Sequence, residues 1–184
     1  SPDNRMPAYD PGSRPDLPDN PPAIEIVSAI KSPLVEQEMD MMKRFWSTIG
    51  VTVQVKYITD WKTFENYIKS DNVQIYRYVW FADMPDADSF LHPLFASDAP
   101  ANFMKLRNAD LDQMLKAARG IVDPVDRAQM YRQAEKKIMG LTPLIPLFHM
   151  NVNRVYQPYV KAISISPLSV YTIPLNKIWL DKKE

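Results

Sequence analysis

Apolar residues alternate with polar ones at three places in the first half of the chain. Ile24 to Ile30 forms one such stretch. Val51, Val53, Val55 and Tyr57 form the second, against Thr52, Gln54 and Lys56. Val73, Ile75 and Val79 form the third, against Gln74, Tyr76, Tyr78 and Trp80. A period of two predicts strands near 24–30, 51–58 and 73–80. Between them the period changes. Val35, Met39, Met42, Trp46 and Ile49 recur at helical spacing, and Trp61, Phe64, Tyr67 and Ile68 do so again. Ser32-Pro33 supplies an N-cap and a first-turn proline for the first helix, Gly50 its left-handed stop, and Asp60 caps the second. Strand, helix, strand, helix, strand implies parallel pairing with right-handed crossovers, and hence a three-layer α/β sandwich with a mainly parallel sheet.

The second half reads as helices. A short helix is expected over Asp86 to Phe95, followed by an irregular stretch over 96–107. Asn108 caps a helix with Leu111, Met114, Leu115 and Ala118 inward and Gly120 at its end. Asp123-Pro124 opens another, with Val125, Ala128, Tyr131, Ile138 and Met139 inward and a stop near Gly140. Pro143 and Pro146 bracket Leu144, Ile145, Leu147 and Phe148, read as an edge strand. Val152 to Val160 and Ala162 to Ile165 read as further short strands. Residues 166–184 read as an irregular C-terminal return segment packing through Leu168, Ile173, Leu175, Ile178 and Trp179.

Composition changes this picture at one end. Seven of the 17 prolines fall within residues 1–22. Proline fixes φ and lacks an N–H, so this stretch is an extended arm or linker, or a disordered tail, ahead of a lobe spanning 23–165. Hydrophobic residues make up 46% of the 184, which is a globular composition. Lys+Arg and Asp+Glu balance at 22 each, so charge points to neither nucleic acid nor an anionic membrane. No apolar run spans a bilayer, and no signal-peptide pattern opens the chain. There is no cysteine, so disulfides, thiolate catalysis and Cys-type zinc sites are excluded.

The candidate chemistry sits where the third strand ends, the side of an α/β sheet on which ligands bind. Here Arg77, Trp80, Phe81, Asp83, Asp86 and Asp88 fall within twelve residues. A guanidinium inside an apolar strand must find a carboxylate or reach solvent. A cation, an aromatic plate and an anion form a set that can hold a zwitterion. Each also has a structural alternative: Trp80, with Tyr76 and Tyr78, can be core, and Asp86 can cap the next helix. The acidic cluster lacks the spacing, turn glycine and distal glutamate of a calcium loop. A carboxylate-dependent hydrolase would need a second acid at fixed separation, and nothing supplies it. His92 and His149 are the only histidines, with no His-Glu-x-x-His pattern. His149, at the end of the 144–148 stretch, can face the same crevice as Asp83. No metal or cofactor is expected, and no enzymatic activity.

Trp80-Phe81-Ala82-Asp83-Met84-Pro85-Asp86-Ala87-Asp88-Ser89-Phe90-Leu91 resembles the W-x-A-D-Y-x-x-P-x-x-F-L segment of the family 5 extracellular solute-binding proteins, the receptors of dipeptide, oligopeptide and nickel ABC importers. Asp126 to Glu135 is similar to that family's R-x-x-L-Y-x-x-A-E helix. Asn102 to Leu115, Leu141 to Phe148 and Glu36 to Val53 match further segments in order. Met84 departs by replacing an aromatic, and the proline sits one place early. The resemblance implies one lobe of a class II periplasmic-binding-protein fold, with the first lobe of the receptor absent. It also implies a solute held in the cleft between two lobes, delivery to an ABC permease, and a periplasmic or extracellular location with a lipid anchor allowed. By position, Asp83 would pair with a peptide α-ammonium, Trp80 would wall the pocket and Arg77 would meet a ligand carboxylate. Phe81, Asp86 and His149 complete the candidate set. Receptors for nickel chelates, haem or oligosaccharides share the fold, and an interaction module without a ligand is the remaining alternative.

Overall fold

The computed structural model describes residues 21–149, 153, 155–163 and 175–181. Within them the chain forms two compact units that meet in sequence at Val79 and Trp80. This division lies inside the lobe expected over 23–165. Nearly all of the Pro-rich arm, together with Val152, Ile165, Leu168 and Ile173, lies outside the described residues.

The first unit is a three-stranded parallel sheet ordered β2-β1-β3, with β1 at Ile24–Ser28, β2 at Val53–Tyr57 and β3 at Ile75–Arg77. Helices α1 (Pro33–Ser47) and α2 (Trp61–Lys69) carry the crossovers. Ile26 stands in register with Val55 and with Ile75, and these side chains pack with Val35, Met39 and Trp46 of α1. Because strand side chains alternate in direction, Glu25 and Val27 must face the other way. On that face Tyr67 of α2 donates to Glu25 at 2.5 Å, Lys56 lies 4.2 Å from the centre of the Tyr67 ring, and Phe64 stacks on Tyr78. The sheet is therefore covered on both faces, which gives the three expected layers. Ser32 and Asp60 cap their helices by accepting from Val35 N–H and Thr63 N–H, and Gly50 takes φ 85° where α1 ends. A side chain other than glycine would be strained at that angle.

The third strand is shorter than its 73–80 alternation implied. Ser28 is the last residue of β1, and its hydroxyl accepts from Ile30 N–H and donates to Ile30 C=O, turning the chain away. Arg77 pairs with Ser28, so beyond Arg77 β3 has no ladder partner.

The second unit is helical. It holds α3 (Asp88–Phe95), α4 (Ala109–Gly120) and α5 (Pro124–Leu141) around a core of Phe95, Leu111, Leu115, Ala118, Tyr131, Ala134 and Ile138. Asn108 and Asp123 cap α4 and α5 as expected. Asn102 organises the irregular 96–107 stretch. Its amide donates to the carbonyls of Ala96 and Leu106 and accepts from Leu106 N–H.

Several expectations are corrected here. Val125 and Ala128 are exposed; the inward stripe of α5 runs through Tyr131 and Ile138, as expected, together with Met130 and Ala134. Helix α5 does stop near Gly140, as expected, with Leu141 its last residue and Thr142 taking the left-handed cap at φ 50°. Residues 144–148 are not a strand. Pro146 within them and Pro143 just before them lack N–H donors, and Ile145, Leu147 and Phe148 are exposed. Among the described residues of the 152–165 stretch the strand is the two-residue β4 (Val160–Lys161), which pairs antiparallel with β5 (Trp179–Leu180). Leu175 and Trp179 are exposed rather than packed.

These placements yield a contrast that a urea titration reads directly. Leu111→Ala, at a fully buried position, should cost ~2–5 kcal/mol. Val125→Ser should change stability by no more than about 0.5 kcal/mol. A large loss at Val125 would return it to the core.

Candidate functional site

The chain leaves β3 at Arg77 and enters the second unit at Trp80, so the expected site residues are divided between the two units. Arg77 belongs to the first. Its Nε donates to both carboxylate oxygens of Glu38 at 3.1 Å, and both side chains are buried, 9% and 8% exposed. The expectation that a guanidinium in this strand needs a carboxylate is met inside the protein, across β3 and α1. The charge of Arg77 is thus already engaged within the first unit.

The remaining residues lie in the second unit. The half-buried Trp80 indole N–H donates to the Ser89 carbonyl at 2.7 Å. Phe81 and Asp83 follow it and are exposed. Asp86 and Asp88, which share the acidic cluster with Asp83, are committed elsewhere. Arg127 donates to Asp86 through Nε at 2.9 Å and Nη2 at 3.1 Å. The third nitrogen of Arg127, Nη1, donates to the Ala118 carbonyl at 2.6 Å. Arg119 donates to Asp88 at 2.8–3.0 Å, and the Tyr131 hydroxyl adds a bond at 2.9 Å. The start of α3 is thereby tied to α4 and α5 by two bidentate pairs, the geometry that suits a guanidinium and a carboxylate best. Asp86 also accepts from Asp88 N–H at 2.8 Å, so it supports the first turn of α3 as expected, although Ala87 occupies the N-cap position. Asp86 therefore serves the frame that joins α3 to α5.

The electrostatics follow the same division. The hydrogen bond from Arg127 holds the Asp86 carboxyl below its ordinary value of 3.8. Burial of Asp88 opposes its charge, but the bonds from Arg119 and Tyr131 outweigh burial and its carboxyl is lowered too. Burial, and next the bond to Asp88, push the Tyr131 hydroxyl up. Asp83 differs: among the described residues no side-chain hydrogen bond or ion pair engages its carboxylate. Exposed Phe81 and Met84 share its loop, and exposed Phe90 stands in the first turn of α3. His149 is exposed at the end of the irregular 144–148 stretch. The roles of Arg119 and Arg127 are absent from the sequence reading. Their only signal is two charged residues on helix faces that also carry core residues, 31 and 41 positions from their partners.

The family profile of the bacterial extracellular solute-binding proteins, family 5 (middle region), matches residues 9–102. The chain belongs to this family. Family 5 relatives are matched over most of its length. The probable deoxycholate-binding periplasmic protein YgiS of Escherichia coli is 35% identical over 112 residues, 61% of this chain and 21% of that one. Heme-binding protein A of Haemophilus influenzae is 28% identical over 147 residues, 78% and 26% of the two chains. The chain thus spans about a quarter of the length of the curated relatives it matches. Among solved structures, Haemophilus influenzae OppA in complex with RPPGFSPFR superposes with a TM-score of 0.73 at 23% identity, over 89% of this chain and 32% of that one. The fold is therefore that of part of a periplasmic binding protein, a lobe with a parallel sheet flanked by helices, as expected.

Two measurements check the frame. Because the folded values of Asp86 and Asp88 are depressed, the unfolded chain binds more protons as pH falls below about 4, and stability rises with pH there. Their contribution is complete above the unfolded value and disappears as pH falls through the folded ones. Asp86→Asn/Asp88→Asn should flatten the acid limb of a pH–stability curve, and an unchanged limb would contradict it. At the other pair, Glu38→Gln strands a buried guanidinium and should cost about 3–5 kcal/mol, while Glu38→Met/Arg77→Met should recover most of the loss. Equal losses in the two proteins would show that packing, not charge, dominates there.

Proposed function

We propose that this chain is a ligand-binding portion of an ABC-importer receptor, and that its ligand is a peptide held through its α-ammonium by Asp83. The observation that carries this reading is an exposed carboxylate with no partner among the described residues, in a loop that also exposes Phe81 and Met84 and leads to exposed Phe90 in the first turn of α3. Family membership alone does not select the ligand, because the names of its relatives speak of deoxycholate and haem, and a solved relative carries a peptide. Charge separates them. Deoxycholate and the haem propionates are anions, which an unpaired carboxylate repels. A peptide offers an ammonium to Asp83 and apolar side chains to its neighbours.

Trp80 is proposed as a wall, because its indole is pinned to Ser89 and so presents a fixed plate. Phe81 is proposed beside it. Arg77 enters as a structural cation of the first unit rather than a ligand group. In a receptor the length of the relatives, this chain would contribute one side of a cleft and the rest of the protein the other. Delivery to a membrane permease and a periplasmic or extracellular location belong to the same proposal. No group in this arrangement is asked to do catalysis, so the role is binding and not turnover.

Losing one partner of a desolvated ammonium–carboxylate pair costs on the order of 2–5 kcal/mol. Asp83→Asn in the full-length receptor should therefore weaken a peptide by roughly thirtyfold or more, read by titration calorimetry. An unchanged dissociation constant would remove Asp83 from the site.

A further inference from the structure

We infer that Ser89 is a positioning residue for the Asp83 carboxylate. The inference rests on the reading of Asp83 as the ligand anchor. Ser89 holds the loop on both sides of that residue: its carbonyl accepts the Trp80 indole N–H at 2.7 Å, and its hydroxyl accepts the Met84 N–H at 3.3 Å. Trp80 and Met84 bracket Asp83 in the chain, so one residue closes a short loop with the carboxylate on its exposed stretch. Further bonds tighten the same circuit, with Asp86 N–H donating to the Met84 carbonyl at 2.8 Å and Ser89 N–H to the Asp86 carbonyl at 3.1 Å.

Ser89 itself is anchored. It lies in the first turn of α3, next to Asp88, which Arg119 and Tyr131 tie to α4 and α5. Rigidity therefore passes from the helical core through Asp88 and Ser89 to the loop, which otherwise has an exposed, proline-containing backbone at Met84-Pro85. A small hydroxyl suits this place. Alanine removes the acceptor for Met84 N–H, whereas threonine keeps it. A carboxylate fixed before the ligand arrives loses less freedom on binding and discriminates better between ligands with and without an ammonium.

The test uses the full-length receptor, with the dipeptide Ala-Phe and its N-acetyl form as probes. The wild type should prefer the free amine. Ser89→Ala should cut that preference by about tenfold, the loss of roughly one hydrogen bond, and Ser89→Thr should restore it. Hydrogen exchange across residues 81–84 should rise in Ser89→Ala and return in Ser89→Thr, with thermal midpoints close to wild type. Ser89→Ala that keeps both the wild-type preference and the wild-type exchange overturns the inference and leaves the Asp83 reading intact. A wild type indifferent to acetylation overturns the Asp83 reading, and with it the positioning role.

Discussion

Arg127 reaches back 41 residues to Asp86, and Arg119 reaches 31 to Asp88. These two pairs decide how the second unit is built, because α3 meets α4 and α5 through charge as well as through Phe95, Leu115 and Tyr131. They also decide which acid remains for chemistry. Three aspartates stand within six residues, and any of them could have faced a ligand. Two are consumed by guanidinium groups, and each consumption fixes the backbone on which the third is displayed. A partly buried charge must be paired, and here that requirement leaves Asp83 as the exposed member of the three.

The first unit obeys the same requirement with different parts. Glu38 on α1 and Arg77 at the end of β3 are both buried, and each is the answer to the other. Their bond fastens a strand of three residues, too short for a long ladder, to the helix that covers it. This explains how β3 remains a strand with a single neighbour on one side and no ladder beyond Arg77. Burial of an ion pair contributes little net stability, so its value lies in register: a shift of one residue along β3 would turn Arg77 to the α2 face and leave Glu38 alone.

Much of this was legible in the chain, for local reasons. Ser32, Asp60, Asn108 and Asp123 cap the helices they were expected to cap, because capping depends on residues two or three positions away. The parallel sheet followed from alternating periods. What failed depended on distant partners. Val125 and Ala128 are apolar, which predicts them inward, but the face of α5 is chosen by α3 and α4, and it runs through Tyr131, Ala134 and Ile138. The length of β3 was set by where β1 turns at Ser28, which no residue of β3 encodes. Residues 144–148 have a strand-like composition but no described strand to pair with. At the site, Trp80 and Asp83 stood out from their place after a strand, whereas the disposal of Asp86 and Arg77 depended on partners 41 and 39 residues away.

The exposure of Asp83 bears on how a receptor of this kind would gain affinity. A carboxylate facing an ammonium in open water contributes about 0–1 kcal/mol, because solvent screens the pair. Association costs at least ~4 kcal/mol of lost translational and rotational freedom, so such a contact cannot hold a small ligand by itself. The same pair strengthens several-fold once water is excluded and the local dielectric falls. On the proposed reading, the loop built by Trp80, Ser89 and the two arginine pairs supplies a pre-set charge and an aromatic plate, and the rest of the receptor supplies the exclusion of water. Placing the polar anchor on a rigid, solvent-facing loop then has a consequence for kinetics. The ammonium finds its partner before the cleft is dry, while most of the binding energy appears only when the second wall closes over it.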